Sequence, residues 1–370
     1  MKKLLIASAV SAALAAPTVA LAQAARAPTL GQVLDASGIS VNGYIDAGYT
    51  HADRNIEGGA GSGVSTRVFD SQNNSFALHQ FGLSVSKLPK EGFGGLVNVT
   101  VGSDAQVIHS LPEGTGGSMF DVTQAYAQYS GGPLTLIAGK FATLHGTEVI
   151  WSPSNANVSR SILFGAIPFT HTGVRATWAL NDTVSLIAGV NNGWDQLTDS
   201  NRDKTVELGA TLNPIKPLNI SISGYSGKEP AGTGNGTRTS INATGSYSIT
   251  DAISVGLELL NVSQDVPGAA GATTSVKYTG AAGYGSYTFT RRLRGALRVE
   301  NFDDKDGAKF GVAGTKYREV TVTGAYLPAD NFEARAELRR DQATNAVFRD
   351  FNGSTSKSMM TIAVQGLYKF

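Results

Sequence analysis

The sequence predicts an all-β fold: a transmembrane antiparallel β-barrel of about sixteen strands, with short periplasmic turns and longer outer loops. Three observations support this prediction. Apolar and polar residues alternate with period two from Gly38 onward, short turns alternate with long polar segments, and the N-terminus resembles an export signal. Only 16% of the residues are charged, and apolar runs of about 20 residues are lacking after the N-terminus, which excludes a helical membrane bundle.

The composition excludes several kinds of functional site. The 370 residues include no Cys, which rules out disulfides, thiolate metal sites and a cysteine nucleophile. The formal net charge of +1 provides no basic surface, so no nucleic-acid partner is expected. The five histidines lack the spacing of metal ligands, and neither a metal nor another cofactor is expected.

Residues 1–22 have the pattern of a secretory signal peptide. Two lysines at positions 2 and 3 form a positive n-region, a mostly apolar stretch follows, and Ala20-Leu21-Ala22 forms an A-x-A cleavage site. The mature chain is therefore predicted to begin at Gln23.

A short periplasmic N-terminal segment is expected over residues 23–37, before the barrel of 38–370. Within it, Thr29 to Ser37 carries Leu30, Val33 and Leu34 at helical spacing. Thr29 is a suitable N-cap and Gly38 follows the last turn, which predicts a helix of about two turns.

The strand pattern is clearest at the C-terminus. One face of this last strand carries Met360, Ile362, Val364, Gly366, Tyr368 and Phe370. The apolar faces of the clear strands are rich in small residues and carry no charge, whereas the opposite faces carry acids and bases. A membrane barrel has this arrangement, with its apolar face toward lipid and its polar face toward a wet lumen.

Thirteen charged residues are predicted to line the lumen. They are Asp46, Arg175, Glu207, Glu258, Arg294, Arg298, Glu300, Glu319, Glu333, Arg335, Glu337, Arg339 and Lys369. Rings of charge set ion preference in pores, but the two signs are mixed here, so strong selectivity is not expected. A compatible alternative is a ladder of cross-strand ion pairs that stiffens the wall.

The connections between strands give the strand count. Seven short turns are predicted near 89–92, 131–133, 181–182, 213–217, 250–251, 290–292 and 328–331. Eight longer segments lie at about 52–73, 103–118, 146–166, 191–203, 226–237, 263–272, 303–316 and 342–357. Their unbroken alternation predicts sixteen strands with both chain ends on the periplasmic side. A barrel of about this size leaves an aqueous channel.

Aromatic residues near strand ends are typical of the girdle that meets the membrane interface. They are Tyr49, Tyr129, Trp178, Tyr247, Tyr326, Phe332, Tyr368 and Phe370. The terminal Phe370, with Tyr368 two residues earlier, also resembles the C-terminal signal by which outer-membrane barrels are recognised for insertion. Outer-membrane lipid and the barrel-assembly machinery are therefore expected partners.

Three stretches resemble the OmpL-like β-barrel porin family of Gram-negative outer membranes. They are SGISVNGYIDAGYT (37–50), NSFALHQFGLSVSK (74–87) and GTEVIWSPSNANVSRSILFGAIPFTHTGV (146–174). In the third, the family-like residues are Glu148, Asn155, Ser159, Ser161, Pro168, His171, Gly173 and Val174. The resemblance covers about residues 29–370 and implies a passive outer-membrane channel without a particular substrate.

The third long segment, 146–166, is unusually apolar for a surface loop. It carries Val149, Ile150, Trp151, Ile162, Leu163 and Phe164. We expect it to fold inward and form a constriction, which the resemblance to porins also implies. The candidate constriction residues are Glu148, Trp151, Asn155, Arg160 and His171, with Glu148 and Arg160 as its charges. Alternatively, the loop caps the mouth or packs at a subunit contact.

The predicted function is an outer-membrane porin, a passive diffusion channel for ions and small hydrophilic solutes, and not an enzyme. A homotrimer is the oligomer suggested by analogy with porins. Two alternatives remain at this point. One is a non-conducting barrel with a structural or adhesion role, and the other is a membrane-embedded hydrolase using Ser159 or Ser161 with His171.

Overall fold

The structure, a computed structural model, describes residues 29–57, 64–112, 117–232, 234–268 and 272–370. The predicted signal peptide over 1–22 and the first part of the predicted 23–37 segment lie outside these residues. None of the helices in the described ranges is long and apolar enough to cross a membrane. The chain divides between Ser37 and Gly38 into two units, which are described separately.

The N-terminal unit contains helix α1 (Leu30–Ser37). The backbone N–H of Gln32 donates to Thr29 Oγ1 at 3.3 Å, and the N–H of Thr29 donates to Gln32 Oε1 at 2.8 Å. This reciprocal pair is a capping box. Gly38 follows with φ +68°, the left-handed conformation that commonly ends a helix. The predicted short helix is confirmed.

The second unit is a closed antiparallel barrel of sixteen strands. They are β1 (Ser40–Ala52), β2 (Ser75–Lys87), β3 (Gly92–Val101), β4 (Phe120–Gly131), β5 (Leu134–Ala142), β6 (Thr170–Ala179), β7 (Val184–Asn191), β8 (Thr205–Ile215), β9 (Leu218–Ala231), β10 (Gly234–Ser248), β11 (Ile253–Pro267), β12 (Thr273–Thr290), β13 (Leu293–Asp304), β14 (Thr315–Ala329), β15 (Phe332–Ala343) and β16 (Ser358–Lys369). The sheet closes where β1 pairs with β16, with Tyr44 opposite Lys369. Each strand therefore has two hydrogen-bonded neighbours, as hydrocarbon requires. The predicted fold class and strand count are confirmed.

The two faces of the sheet follow the predicted alternation. On β14, Val320 and Val322 point outward and are about half exposed, whereas Glu319 and Thr321 between them are buried inside. The outward face also carries the aromatic residues near the short turns. Tyr129, Trp178, Tyr247, Tyr326, Phe332, Tyr368 and Phe370 all lie there, with 37% to 55% of their surface exposed. An apolar exterior around a charged interior is the reverse of the arrangement in a soluble protein, and it matches a barrel surrounded by membrane lipid.

Short turns join the strands at one end of the barrel, which we call the short-turn end. The connections at the other, long-loop end are L1 (53–74), L2 (102–119), L3 (143–169), L4 (192–204), L5 (232–233), L6 (268–272), L7 (305–314) and L8 (344–357). L2 contains the one-turn helix α2 (Ala105–Ile108), L3 contains two 3-10 turns (Ser152–Ser154 and Phe164–Ala166), and L8 contains a small hairpin of Phe348–Arg349 with Thr355–Ser356.

The prediction of long loops over 226–237 and 263–272 is wrong. Strands β9, β10 and β11 have 14, 15 and 15 residues, more than the 9–11 that cross the hydrocarbon, so they continue as paired strands beyond it. Gly236 belongs to this ladder and not to a flexible loop. A Cβ at Gly236 would lie 1.7 Å from the carbonyl oxygen of Asp265, so the close approach of β11 requires glycine there.

The apolar core lies inside the barrel, near the long-loop end. Loops L1, L3 and L8 supply much of it, together with inward side chains of β13 and β14. Its fully or almost fully buried members include Ile56, Phe69, Ile162, Leu163, Phe164, Phe302, Tyr317 and Phe348. The apolar residues that made the third loop unusual in the sequence are thus packed against other loops and the wall.

Candidate functional site

L3 crosses the interior of the barrel. Near its start, the imidazole of His145 lies 2.7 Å from Ser223 Oγ on β9 and 2.9 Å from Ser240 Oγ on β10. Further along, Trp151 Nε1 donates to Asn98 Oδ1 on β3 at 2.9 Å. Strands β3 and β10 are seven positions apart in the ring of sixteen, almost on opposite walls. The first half of L3 therefore spans the lumen.

Inward-facing carboxylates hold the returning half of L3 by its backbone. Glu337 on β15 accepts hydrogen bonds from the N–H groups of Val158 and Ser159 at 2.6 and 3.0 Å. Glu300 on β13 does the same for residues 162–163, at 2.7 and 2.6 Å. Buried N–H groups need partners, and a carboxylate can satisfy two adjacent ones. These two strands therefore determine the path of the loop.

Arginines on the same strands bind the carbonyl oxygens of L3. Arg298 on β13 donates to the carbonyl of Ser159 at 2.8 Å and pairs with Glu148 and Glu319 at 2.6 and 3.0 Å. Arg339 on β15 pairs with Asp341 at 2.7 Å, and its guanidinium also donates to the carbonyl of Arg160. Both guanidinium groups are fully buried, and their acidic partners neutralise their charges in place.

The two predicted constriction charges both bind within the loop, and Glu148 in addition pairs with Arg298 of the wall. The guanidinium of Arg160, which is 1% exposed, donates to the carbonyls of Val149, Ile150 and Val158. Glu148 accepts a hydrogen bond from the N–H of Ser161 at 2.6 Å. Burial alone would raise the pKa of Glu148, but the nearby arginines outweigh it and hold that pKa below its usual range. These charges maintain the shape of L3.

The other predicted constriction residues have separate positions. Asn155 bridges the loop by bonding the N–H and carbonyl of Val149 at 2.9 Å each. Trp151 is partly buried at the β3 wall. His171 is not in the loop but on β6, where it stacks on Tyr225 with ring centroids 4.4 Å apart. The structure therefore brings Glu148, Trp151, Asn155 and Arg160 together in L3, and places His171 in the wall.

Most of the predicted lumen charges are engaged in pairs. Arg175 on β6 reaches Glu207 on β8 at 2.6 Å across the intervening β7. Gly189 makes this possible, because a Cβ there would lie 2.4 Å from Glu207 Oε1. Glu333 pairs with both Arg335 and Arg294, at 2.9 and 2.6 Å.

The remaining lumen charges have neutral partners or lie near the short turns. Glu258 on β11 accepts a hydrogen bond from the N–H of Thr147 at 2.9 Å, and Asp46 on β1 accepts one from Gln365 at 2.9 Å. Lys369 is partly buried at the end of β16. The ion pairs agree with the expected stiffening of the wall, whereas a role of these residues in conduction stays a prediction.

Sequence reasoning missed a contribution of L1 to the interior. The side chain of Arg67 is fully buried and pairs with Asp70 and Asp341 at 2.9 and 3.1 Å. It also donates to Thr361 Oγ1 on β16 at 2.6 Å. The apolar neighbours Val68 and Phe69 were the available signal, of the same kind that identified L3.

Glu300→Gln tests the carboxylate support of L3. A glutamine offers one good acceptor oxygen, so one of the N–H groups at residues 162–163 loses its partner at a cost of about 1–3 kcal/mol. We expect amide hydrogen exchange at these two positions to become roughly tenfold to hundredfold faster. The matched control is Glu57→Gln on the exposed part of L1, which should leave this exchange unchanged. If exchange at 162–163 were also unchanged in Glu300→Gln, Glu300 would not support L3.

His145 makes the interior sensitive to acid. Burial lowers the pKa of His145 from 6.5 to about 3, and His171 adds to this effect, so the folded protein keeps the imidazole neutral. Its contribution to stability is complete above pH 6.5 and is lost as the pH falls toward 3. Stability should therefore decrease by about 3 kcal/mol between pH 7 and pH 4. His145→Gln should remove this part of the pH dependence of stability, measured by urea unfolding. If the stability of wild type and variant depended on pH in the same way, His145 would not be the source of the acid sensitivity.

The fold and the inward loop together define a class. A closed sixteen-strand barrel with an aliphatic exterior, a charged interior and a loop inside the lumen is the architecture of an outer-membrane channel. The chain belongs to the family described as putative beta-barrel porin-2, OmpL-like, whose model matches residues 38–370. The resemblance found in the sequence is confirmed, and the protein is an outer-membrane porin.

Solved structures of outer-membrane proteins share the fold. The outer membrane channel DcaP of Acinetobacter baumannii is 13% identical, with 90% of this chain and 97% of that chain covered and a TM-score of 0.64. The anion-selective porin from Comamonas acidovorans is 11% identical, with 90% and 99% covered and a TM-score of 0.64. In-vitro folded OmpT of Vibrio cholerae in its trimer form is 12% identical, with 90% and 99% covered and a TM-score of 0.61. Among curated proteins, none shows significant similarity to this chain.

Proposed function

We propose that the protein is a passive diffusion channel for ions and small hydrophilic solutes, and that L3 is its constriction. The observation that carries this proposal is the course of L3 from the wall at β10 to the wall at β3. A segment held across a water-filled barrel limits the size of what passes. The carboxylates and arginines of β13 and β15 support the constriction by holding the loop in place.

The electrostatics favour weak discrimination at the level of L3. Arg298 and Arg339, on the wall beside L3, each have an acidic partner, and Arg160 within L3 is bound by carbonyl oxygens. Paired charges produce a smaller field in the lumen than a ring of one sign. Size is therefore the main filter at the constriction.

The geometry disfavours the hydrolase alternative that would use Ser159 or Ser161 with His171. A hydrolase would need a serine hydroxyl hydrogen-bonded to a histidine base. His171 Nδ1 instead lies 3.0 Å from the carbonyl oxygen of Gly193. Ser159 Oγ accepts from Arg298 at 3.0 Å, and Ser161 Oγ accepts from the N–H of Phe164 at 3.0 Å.

Export and assembly complete the proposal. Cleavage after Ala22 would release a mature chain whose segment 23–37 lies in the periplasm, with the long-loop end facing outward. Tyr368 and Phe370 point to the exterior of the barrel, where the barrel-assembly machinery could read them, and outer-membrane lipid surrounds them afterwards. The trimer form of the Vibrio cholerae protein supports a homotrimer.

Single-channel recording of refolded residues 23–370 in a planar bilayer tests the function. We expect discrete, ohmic current steps and, under asymmetric salt, a small reversal potential. The alternative is a non-conducting structural or adhesion barrel, which the inward packing of L1 around Arg67 favours. Silence from protein that is shown to be folded and inserted would overturn the proposed channel and favour that alternative.

A further inference from the structure

A cavity of about 620 Å³ opens at the long-loop end, above L3. Strands β10, β11 and β12 form one side, and L3, L4 and L7 form the others. The lining side chains that matter here are Arg238, Lys309, Trp194, Tyr278, Phe169 and Val276. The cavity therefore combines two cationic groups with aromatic and aliphatic walls, which is the usual composition of a small-molecule site.

The two cations of this cavity differ from the inward arginines of strands β13 and β15. Within the described ranges, neither Arg238 nor Lys309 forms an ion pair, whereas Arg298, Arg335 and Arg339 each have an acidic partner. The guanidinium of Arg238 lies 4.7 Å above the ring of Trp194 and donates to the amide oxygen of Gln264. These contacts orient the guanidinium without neutralising it.

Lys309 approaches the cavity from L7, opposite Arg238. Its ammonium group donates to the carbonyl oxygen of Gly165 in L3. A neutral carbonyl occupies one of the three donors of an ammonium group and leaves its charge uncompensated. The cavity thus has a positive group on β10 and another on L7.

Two acidic residues also line the cavity, and both are bound by backbone. Asp195 Oδ1 accepts hydrogen bonds from the N–H groups of Phe169 and Thr170 at 2.8 and 2.9 Å. Asp306 Oδ2 accepts from the N–H of Lys277 at 2.9 Å. Their carboxylates hold loop ends in position and leave the two cations available to a ligand.

We propose that this cavity binds a small organic anion, a carboxylate that carries a planar apolar group. Arg238 and Lys309 would bind the carboxylate, because a guanidinium fork matches its two oxygens. Phe169, Val276 and the ring of Tyr278 would cover the apolar part. Tyr278 is held for this by its hydroxyl, which donates to the carbonyl of Ala166 at 2.9 Å. The further step, in which bound anions pass into the barrel, rests on the proposed function. The binding itself does not depend on that function.

Isothermal titration calorimetry on the refolded mature chain in detergent tests the site, with benzoate as the probe. Benzamide is the matched neutral probe, because it keeps the ring and removes the charge. We expect saturable binding of benzoate and at least about tenfold weaker binding of benzamide. Arg238→Gln and Lys309→Gln should each weaken benzoate binding, the former by at least about tenfold.

Lys204→Gln is the control variant, since Lys204 lies on L4 at the same end of the barrel and is exposed. It should leave benzoate binding unchanged. If Arg238→Gln does not fold, Lys309→Gln decides the question, because Lys309 lies on an exposed loop.

Three results would overturn the site: no saturable binding, equal binding of the two probes, or equal binding in wild type and both cavity variants. If the protein binds benzoate but does not conduct, the site is retained and only the proposed channel is refuted. If it conducts but does not bind benzoate, the channel is retained and the site is refuted.

Discussion

Deleting residues 150–161 and joining Val149 to Ile162 through two glycines is expected to raise the single-channel conductance severalfold. The deleted segment carries the contacts of L3 with β3 and β15, so its removal clears that part of the lumen. The two ends can be bridged by a short linker because they already lie together. Arg160 bonds the carbonyl of Val149 at 3.0 Å, and Glu148 accepts from the N–H of Ser161.

The matched control for this deletion is removal of residues 198–203 from L4. These residues lie at the long-loop end, and most of them are exposed, so the conductance should stay at the wild-type value. Both variants are first checked for refolding by their heat-modifiable gel mobility. A folded barrel that lacks 150–161 but conducts like wild type would refute L3 as the constriction.

Arg298→Met is expected to lower the free energy of unfolding by about 3–5 kcal/mol. The guanidinium is fully buried, and it pairs with Glu148 of L3 and Glu319 of β14. Methionine fills part of the volume but leaves Glu148 buried without its ion-pair partner and Glu319 with only Arg339, at 3.7 Å. The same change removes the donor to the carbonyl of Ser159, so L3 should also become more accessible. Urea unfolding in lipid vesicles measures the loss.

Arg294→Met is the control for this substitution, on the same strand. The Arg294 side chain is 44% exposed and pairs with Glu333, and exposed ion pairs contribute at most about 1 kcal/mol. The double variant Arg298→Met with Glu319→Gln should recover part of the loss, because it removes one of the two carboxylates that lose Arg298 as a partner. Equal losses for Arg298→Met and Arg294→Met would contradict the buried cluster as a source of stability.

The barrel could be predicted because its signals are local. A strand's alternation and a turn's Gly, Pro, Asn or Asp are properties of a few neighbouring residues, so sixteen strands and seven short turns were readable along the chain. The errors occurred where local signals mislead. The polar stretch at 226–237 was predicted to be a long loop, but β9 and β10 continue into it, and β10 uses Gly236 to approach β11.

The inward course of L3 was predictable for a different reason. Large apolar side chains in a long loop need a place away from water, and the lumen was the place available. The contacts of the individual charged residues could not be predicted from the sequence in this way. Glu148 and Arg160 were expected to face the passage, whereas they bond inside the loop and Glu300 and Glu337 hold its backbone.

The amino-acid pattern by itself determined the class of protein, the barrel, the number of strands and which face of each strand meets lipid. These depend on periodicity, and lipid and water impose it on every strand separately. Only the tertiary structure decided which charges pair. Arg175 with Glu207, Arg67 with Asp341 and Arg298 with Glu148 are separated by 32, 274 and 150 residues. Such partners meet only after the barrel has closed and L1 and L3 have entered it.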